Sequence, residues 1–208
     1  MILIGQYDSP FVRRVGVALT IYEMTFAHRP WSVFGDAAAI AELNPLTRVP
    51  TLVLDDGTVL TDSHMILDYL DSLVPEDQAM FPRSEPARHR ALRVAALACG
   101  LADKAVSLFY ETRLHTAVSD VWVDRCRGQI LAVAGVLEAE RAASAGPYWF
   151  GGRIGHGDIA VACALRFAAE VHPGLIDDAT HPALSAHAAH MEALAVFQVI
   201  RQPFNAPA

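Results

Sequence analysis

The chain has 208 residues, of which 53% are hydrophobic and 19% charged, and its formal net charge is −7. That length holds one large domain or two small ones with a core that needs neither disulfide nor metal, and the composition excludes a disordered chain. The acidic balance argues against nucleic acid as a partner, and the longest apolar stretch, Val94 to Ala102, falls far short of the ~20 residues of a membrane helix.

Met1–Gly5 is a short apolar run and the first strand candidate. Gln6-Tyr7-Asp8-Ser9-Pro10 breaks it; Ser9 suits a helix N-cap and Pro10 the first turn, where its missing N–H costs nothing. Val12, Val15, Leu19 and Tyr22 fall at helical spacing and predict a helix from Pro10 to Glu23. Phe26 to Trp31 reads as a second strand that Pro30 makes an edge or an end. Phe34 to Asn44 is irregular, with a short helical piece around Ala37–Glu42. Thr51–Leu54 and Thr58–Leu60 flank Asp55-Asp56-Gly57, a hairpin signal. Asp62 or Ser63 caps the next helix, which carries Ile66, Leu67, Tyr69, Leu70 and Leu73 and stops before Pro75.

Pro75 to Pro86 is polar and turn-rich, and beyond it the pattern is helical: Arg88–Leu114, Asp120–Ala143, Gly155–Val171 and Pro182–Ile200, the last open to a break. The expected organisation is an α/β domain over residues 1–77, a linker over 78–86 and an all-helical domain over 87–208. No basic, apolar, small-residue leader opens the chain, so no secretory signal is expected. Cys99, Cys126 and Cys163 cannot all pair and no CxxC occurs, which reads as reduced thiols in a cytoplasm. His181, His187 and His190 lie close in sequence but lack a nearby run of carboxylates, so no metal site is expected.

The strand–helix–strand, loop, strand–strand–helix order, with Pro50 before the third strand, is the thioredoxin-like arrangement, and Val49-Pro50-Thr51 stands where that fold places a cis proline. Ser9-Pro10-Phe11-Val12-Arg13-Arg14-Val15, Asn44-Pro45-Leu46-Thr47-Arg48-Val49-Pro50, Asp62-Ser63-His64-Met65-Ile66-Leu67-Asp68-Tyr69-Leu70 and Gly155-His156-Gly157-Asp158 follow in order, with a helical half behind them. With these pieces the chain resembles the cytosolic glutathione transferases over essentially its whole length, in their serine-type, bacterial-like form. The resemblance implies an α/β thioredoxin-like N-terminal domain followed by an all-α helical-bundle C-terminal domain. It also implies glutathione as co-substrate, a small hydrophobic electrophile, a homodimer, and no metal, nucleic acid or membrane. One departure is Gly155, which stands where the family has a serine or threonine cap; Asp158 is present three positions on, and Ile154 and Ile159 can form the hydrophobic staple.

A thiol of pKa about 8.5 is only a few per cent thiolate at neutral pH, and the thiolate is the nucleophile. A hydroxyl at a helix N-terminus favours the anion by hydrogen bond and by helix dipole together. The resemblance gives that role to Ser9, which by itself also reads as an ordinary N-cap. Tyr7 is the rival, but the tyrosine of tyrosine-type relatives would fall on Gln6, and an offset of one residue along a strand turns the side chain to the other face. With Pro50 cis, the backbone N–H and C=O of Val49 would pair with the cysteinyl backbone of glutathione like an added strand. Arg48 could meet the glycine carboxylate, Asp62 the γ-glutamyl ammonium, and Ser63 at a helix N-terminus the γ-glutamyl carboxylate. Tyr7, Phe11, Tyr110 and Arg113 are the weaker candidates for the electrophile pocket. The remaining readings are a non-catalytic binding or regulatory protein of the same shape, and a glutathione-dependent peroxidase or isomerase.

Overall fold

The computed structural model describes residues 1–206. Contacts divide the chain into two compact units: Met1–Arg83 together with the described part of Leu194–Ala208, and Ser84–Ala193.

In the first unit, β1 (Ile2–Ile4), β2 (Ala27–Arg29), β3 (Thr51–Val53) and β4 (Val59–Thr61) form one sheet in the order β2-β1-β3-β4. β1 runs parallel to β2 and antiparallel to β3, and β3 runs antiparallel to β4. The apolar β1 is central, whereas Ala27-His28-Arg29, followed by Pro30, takes an edge, where a missing donor does no harm. Thr58 O accepts the Leu54 N–H at 2.8 Å across the hairpin, and Gly57 there takes a φ of +87°, which suits a residue without Cβ. Helix α1 (Pro10–Ile21) and helix α3 (Ser63–Ser72) pack together, and the short α2 (Ala37–Ala41) lies between β2 and β3 in sequence. Leu3 and Ile4, Val12, Val15 and Leu19, Leu52, and Ile66, Leu67 and Leu70 are fully buried and make this unit's core.

Two segments differ from the sequence reading. Residues 78–83, expected as linker, are packed onto the first unit: Met80 and Phe81 are buried. The Met80 N–H donates to the Tyr22 hydroxyl at 2.9 Å, the Phe81 N–H to Asp71 Oδ2 at 2.9 Å, and Tyr22 bonds Asp71 in turn. Residues 194–206, expected in the helical domain, also belong to the first unit. The helical run breaks at Ala193–Leu194 between α7 (Pro182–Glu192) and α8 (Ala195–Val199). Arg13 Nε donates to the Ile200 carbonyl at 2.8 Å and Arg13 Nη2 to that of Phe197 at 3.0 Å, so the end of the chain supplies acceptors for a guanidinium buried in α1. Residues 207 and 208 of the expected domain lie outside the described residues.

The second unit contains α4 (Ala87–Leu114), α5 (Asp120–Ala143), α6 (His156–Val171) and α7, with α4 packed on both α5 and α6, and α7 on α5 and α6. Val123, Cys126, Ile130, Ala134 and Leu137 form the buried stripe of α5 at helical spacing. Nearly all of α6 is buried, which its alanine-rich sequence allows. Asp158 accepts the Gly155 N–H at 2.9 Å and the Trp149 N–H at 2.7 Å, which is the carboxylate half of a capping box, while Gly155 brings no hydroxyl for the other half. Among the described residues, no helix is long and apolar enough to cross a membrane.

His187 of α7 is buried beside Asp158, edge-on to Trp149, with Nε2 3.4 Å from the Asp158 carbonyl. Burial lowers its pKa from 6.5 to about 4, and Arg141 and His190 act in the same direction. The unfolded chain therefore takes up this proton as pH falls below 6.5 while the folded chain resists until about 4. Stability should drop through that window by up to ~3 kcal/mol on this account. Asp158, whose pKa burial raises, acts oppositely, since its folded form binds a proton more readily. The difference between the parent and His187→Leu isolates the histidine: urea midpoints should fall less steeply from pH 7 to 4.5 in the variant. Parallel pH curves would remove His187 as the cause.

Candidate functional site

The register puts three loops at one end of the sheet. Ile4 opposes Thr51, and Thr51 opposes Thr61. The loop after β1, the Val49-Pro50 segment before β3 and the Asp62-Ser63 turn after β4 therefore leave the sheet side by side. Two strand spacings cover ~10 Å, about the length of three extended residues. Gly5 brings the first two loops together: a Cβ there would lie 2.5 Å from Val12 Cγ2 and 2.7 Å from Val49 Cβ. With its φ of +124° as well, the position admits only glycine.

Ser9 is the N-cap of α1, half-buried, and its Oγ accepts the Val12 N–H at 3.4 Å. That bond uses a lone pair and leaves the hydroxyl hydrogen available to donate. An acceptor placed there also meets the positive end of the helix dipole. Tyr7 faces elsewhere: its ring stacks on His28 at 3.9 Å and covers Gly16 of α1, where a Cβ would come within 2.7 Å of Tyr7 Cε1. Burial pushes its phenol up to about 12. Tyr7 is thus a packing residue within the first unit.

The segment from Asn44 to Thr51 is held from inside. The buried Asn44 side chain donates to the Arg48 carbonyl at 2.9 Å and to Thr51 Oγ1 at 3.2 Å, and accepts the Leu46 N–H at 3.1 Å. Thr51 Oγ1 donates to the same carbonyl at 3.0 Å. The Val49–Pro50 peptide is cis. Among the described residues, neither the N–H nor the C=O of Val49 has a hydrogen-bond partner. Arg48 is exposed beside it and Pro50 is buried.

At the third loop, Asp62 Oδ1 accepts the His64 N–H at 2.8 Å and caps α3. Asp62 has a φ of +69° and Thr47 one of +51°, two of the three non-glycine residues of positive φ among those described. Such backbone costs of order 1–3 kcal/mol and gathers at ligand sites. Ser63 is buried, and its Oγ accepts from Arg14 Nη1 at 3.3 Å. Arg14 is only 1% exposed, so α1 sets a guanidinium directly beneath the N-terminus of α3. Charge and helix dipole there favour the same ligand group, a carboxylate. The sequence reading gave Arg14 no role. The signal was present: two arginines, Arg13 and Arg14, stand between Val12 and Val15 on a helix otherwise apolar through Leu19.

Phe11 is half-buried in the first turn of α1, next to Ser9. Tyr110 and Arg113 belong to the second unit: Tyr110 is half-buried on α4 with its ring tilted against Phe109, and Arg113 is exposed in the last turn, where a cation suits the helix dipole. Among the described residues no group of three or more His, Cys, Asp or Glu could hold a metal ion.

Residues 3–78 match the family model of the glutathione S-transferase N-terminal domain, and residues 120–190 that of the C-terminal domain. The uncharacterized GST-like protein YibF of Escherichia coli K12 is 31% identical over 87% of this chain and 89% of its own. A glutathione transferase family member from Pseudomonas fluorescens Pf-5, solved with bound glutathione, is 33% identical with a TM-score of 0.83, covering 98% of this chain and 99% of that one. A glutathione S-transferase from Methylobacterium radiotolerans, in complex with glutathione sulfonate, is 25% identical with a TM-score of 0.89, covering 100% and 98%.

Proposed function

Since the chain belongs to the glutathione S-transferase family, we propose that it binds glutathione across the three loops at the sheet end, ionises its thiol with Ser9 and transfers the thiolate to a hydrophobic electrophile. The observation that carries this reading is the Ser9 hydroxyl at the N-terminus of α1, with its hydrogen uncommitted to the protein. Lowering a thiol pKa by ~2 units takes ~2.7 kcal/mol of preference for the anion, within reach of one hydroxyl donor and a helix terminus acting together.

In this reading the thiol proton leaves to solvent and the Ser9 O–H donates to the sulfur anion. The Val49 N–H and C=O pair with the cysteinyl backbone as an added strand would. Asp62 takes the γ-glutamyl ammonium. The Ser63 N–H and hydroxyl take the γ-glutamyl carboxylate, with Arg14 behind them. Arg48 reaches the glycine carboxylate. The sulfur then forms a bond to an electrophilic carbon, and the leaving group departs with its electron pair. Cytoplasmic residence fits three cysteines that form no disulfide, since a reducing compartment keeps thiols as thiols.

Titration calorimetry with glutathione, followed by mass-spectrometric detection of the thioether formed with chlorodinitrobenzene, tests the proposal. Saturable binding and a conjugate are expected; binding without any conjugate would leave a carrier or regulator. Asp62→Asn separates cap from charge, because asparagine also caps helices and tolerates positive φ. The variant should melt as the parent does while its glutathione Kd rises about three- to tenfold, a modest effect because Asp62 is exposed. A Kd within twofold of the parent would make Asp62 a cap and nothing more.

A further inference from the structure

The loop that carries Ser9 is held by residues from the far end of the chain. Within the loop, the Ser9 N–H donates to the Gln6 carbonyl at 3.1 Å. From outside, Gln202 Oε1 accepts the Tyr7 N–H at 3.2 Å, and the Asn205 N–H donates to Asp8 Oδ2 at 3.0 Å. Both contacts fall on the two residues immediately before Ser9. Ile200 lies against α1 at the spot the Tyr7 ring covers: its Cγ2 would be 3.0 Å from a Cβ on Gly16. The segment has its own anchor upstream, where Arg13 donates to the Phe197 and Ile200 carbonyls and its guanidinium sits 5.0 Å from the Phe197 ring. Anchorage and loop contacts are therefore separate: Arg13 ties the segment down, and residues 202–205 reach on from there to the loop.

We propose that Gln202 is a positioning residue, through which the C-terminal segment straps the Gln6–Ser9 loop so that the Ser9 hydroxyl meets the glutathione sulfur. This rests on the role given to Ser9 above. Ser9 is bounded on one side by Pro10 and the start of α1, and on the other by Tyr7 and Asp8. A hydrogen bond to sulfur weakens steeply with displacement, and a misplacement of about 1 Å can cost ~100-fold in rate. Gln202 holds one of the two outer points, so its removal gives a fraction of that loss. The segment stays docked without it, because the contacts of Phe197 and Ile200 with Arg13 are untouched.

The test is the thiolate absorbance of the binary complex with glutathione, titrated against pH in the parent, Ser9→Ala, Gln202→Ala and Gln202→Glu proteins. Melting temperature and turnover with chlorodinitrobenzene are read alongside. In the parent the bound thiol should titrate well below free glutathione. Gln202→Ala should move it upward toward the free thiol and lower kcat by ~3–30-fold, with the KM for glutathione within about twofold and the melting temperature little changed. Gln202→Glu keeps an acceptor for the Tyr7 N–H and should stay within about threefold of the parent in kcat. If Ser9→Ala loses the low thiol pKa and Gln202→Ala keeps it, Ser9 acts without the strap and the proposal falls alone. A Gln202→Ala protein that only melts lower, with an unmoved titration, makes the contact structural and also overturns it. A glutamate variant as impaired as the alanine one removes the acceptor role. A parent that leaves the thiol pKa at its free value ends the Ser9 reading and this proposal together.

Discussion

Replacing Ser9 with alanine is expected to lower the rate of glutathione conjugation by ~10–1,000-fold, the upper part of which matches the ~100–1,000-fold loss seen when one donor to a reactive anion is removed. The loss should sit in kcat and in the pH profile. Glutathione affinity at low pH, where the thiol is protonated, should barely change, because the γ-glutamyl and backbone contacts are elsewhere. Ser9 is also the cap of α1, so a stability decrease of about 1 kcal/mol is expected alongside and must be measured separately by denaturation. Ser9→Thr keeps cap and donor and should recover most of the activity. Full activity of the alanine variant at pH 6.5 would transfer thiol activation to a backbone N–H of the first turn. Tyr7 would not inherit it, because its ring is committed to His28 and Gly16.

The second large effect is expected at Arg14. Arg14→Met keeps an unbranched apolar stem in the same space but removes the charge beneath α3 and the donor that orients Ser63 Oγ. Truncating one partner of a buried, hydrogen-bonded charge pair commonly costs ~2–5 kcal/mol, and Arg14, which would act on the ligand carboxylate from behind Ser63, should cost less than a direct partner. Part of that is recovered by the Ser63 N–H and the helix dipole, so a 10- to 100-fold rise in glutathione Kd is the expected outcome, read by calorimetry on folded protein. Arg14→Lys retains the charge without the planar fork and should fall between the two. If the methionine variant folds and binds glutathione like the parent, the α3 terminus and Ser63 suffice and the guanidinium only fills the core.

The elements of the first unit were legible because each carries a local signal: Ser9-Pro10 at a helix start, Asp56-Gly57 in a hairpin, Asp62-Ser63 at the next helix start. The site inherits that legibility, since its loops are the same punctuation marks. What escaped depends on long-range pairing. Arg13 and Arg14 look solvent-exposed until α8 and α3 come to meet them. Met80 and Phe81 look like part of a polar connection until the Tyr22–Asp71 pair engages their backbone. The 182–200 helical run is open to a break, but no proline or glycine marks Ala193-Leu194 as the point where the chain changes unit. Gln202 sits among Arg201, Pro203 and Phe204 with no motif around it, and only its partner 195 positions away gives it meaning.

The return of residues 194–206 to the first unit also bears on how the protein is made. On the ribosome the sheet and α1 emerge before the Ile200 and Phe197 carbonyls that receive Arg13, which lie 187 and 184 residues further along the chain. Until they arrive, a cationic side chain destined for burial lacks those two acceptors, a costly arrangement that favours leaving this corner of α1 loose. The helical unit, whose residues 84–193 are contiguous, carries no such debt to distant sequence and can close first. The nascent chain can therefore hold a finished helical body before Arg13 meets its two acceptors and before Gln202 and Asn205 reach Tyr7 and Asp8.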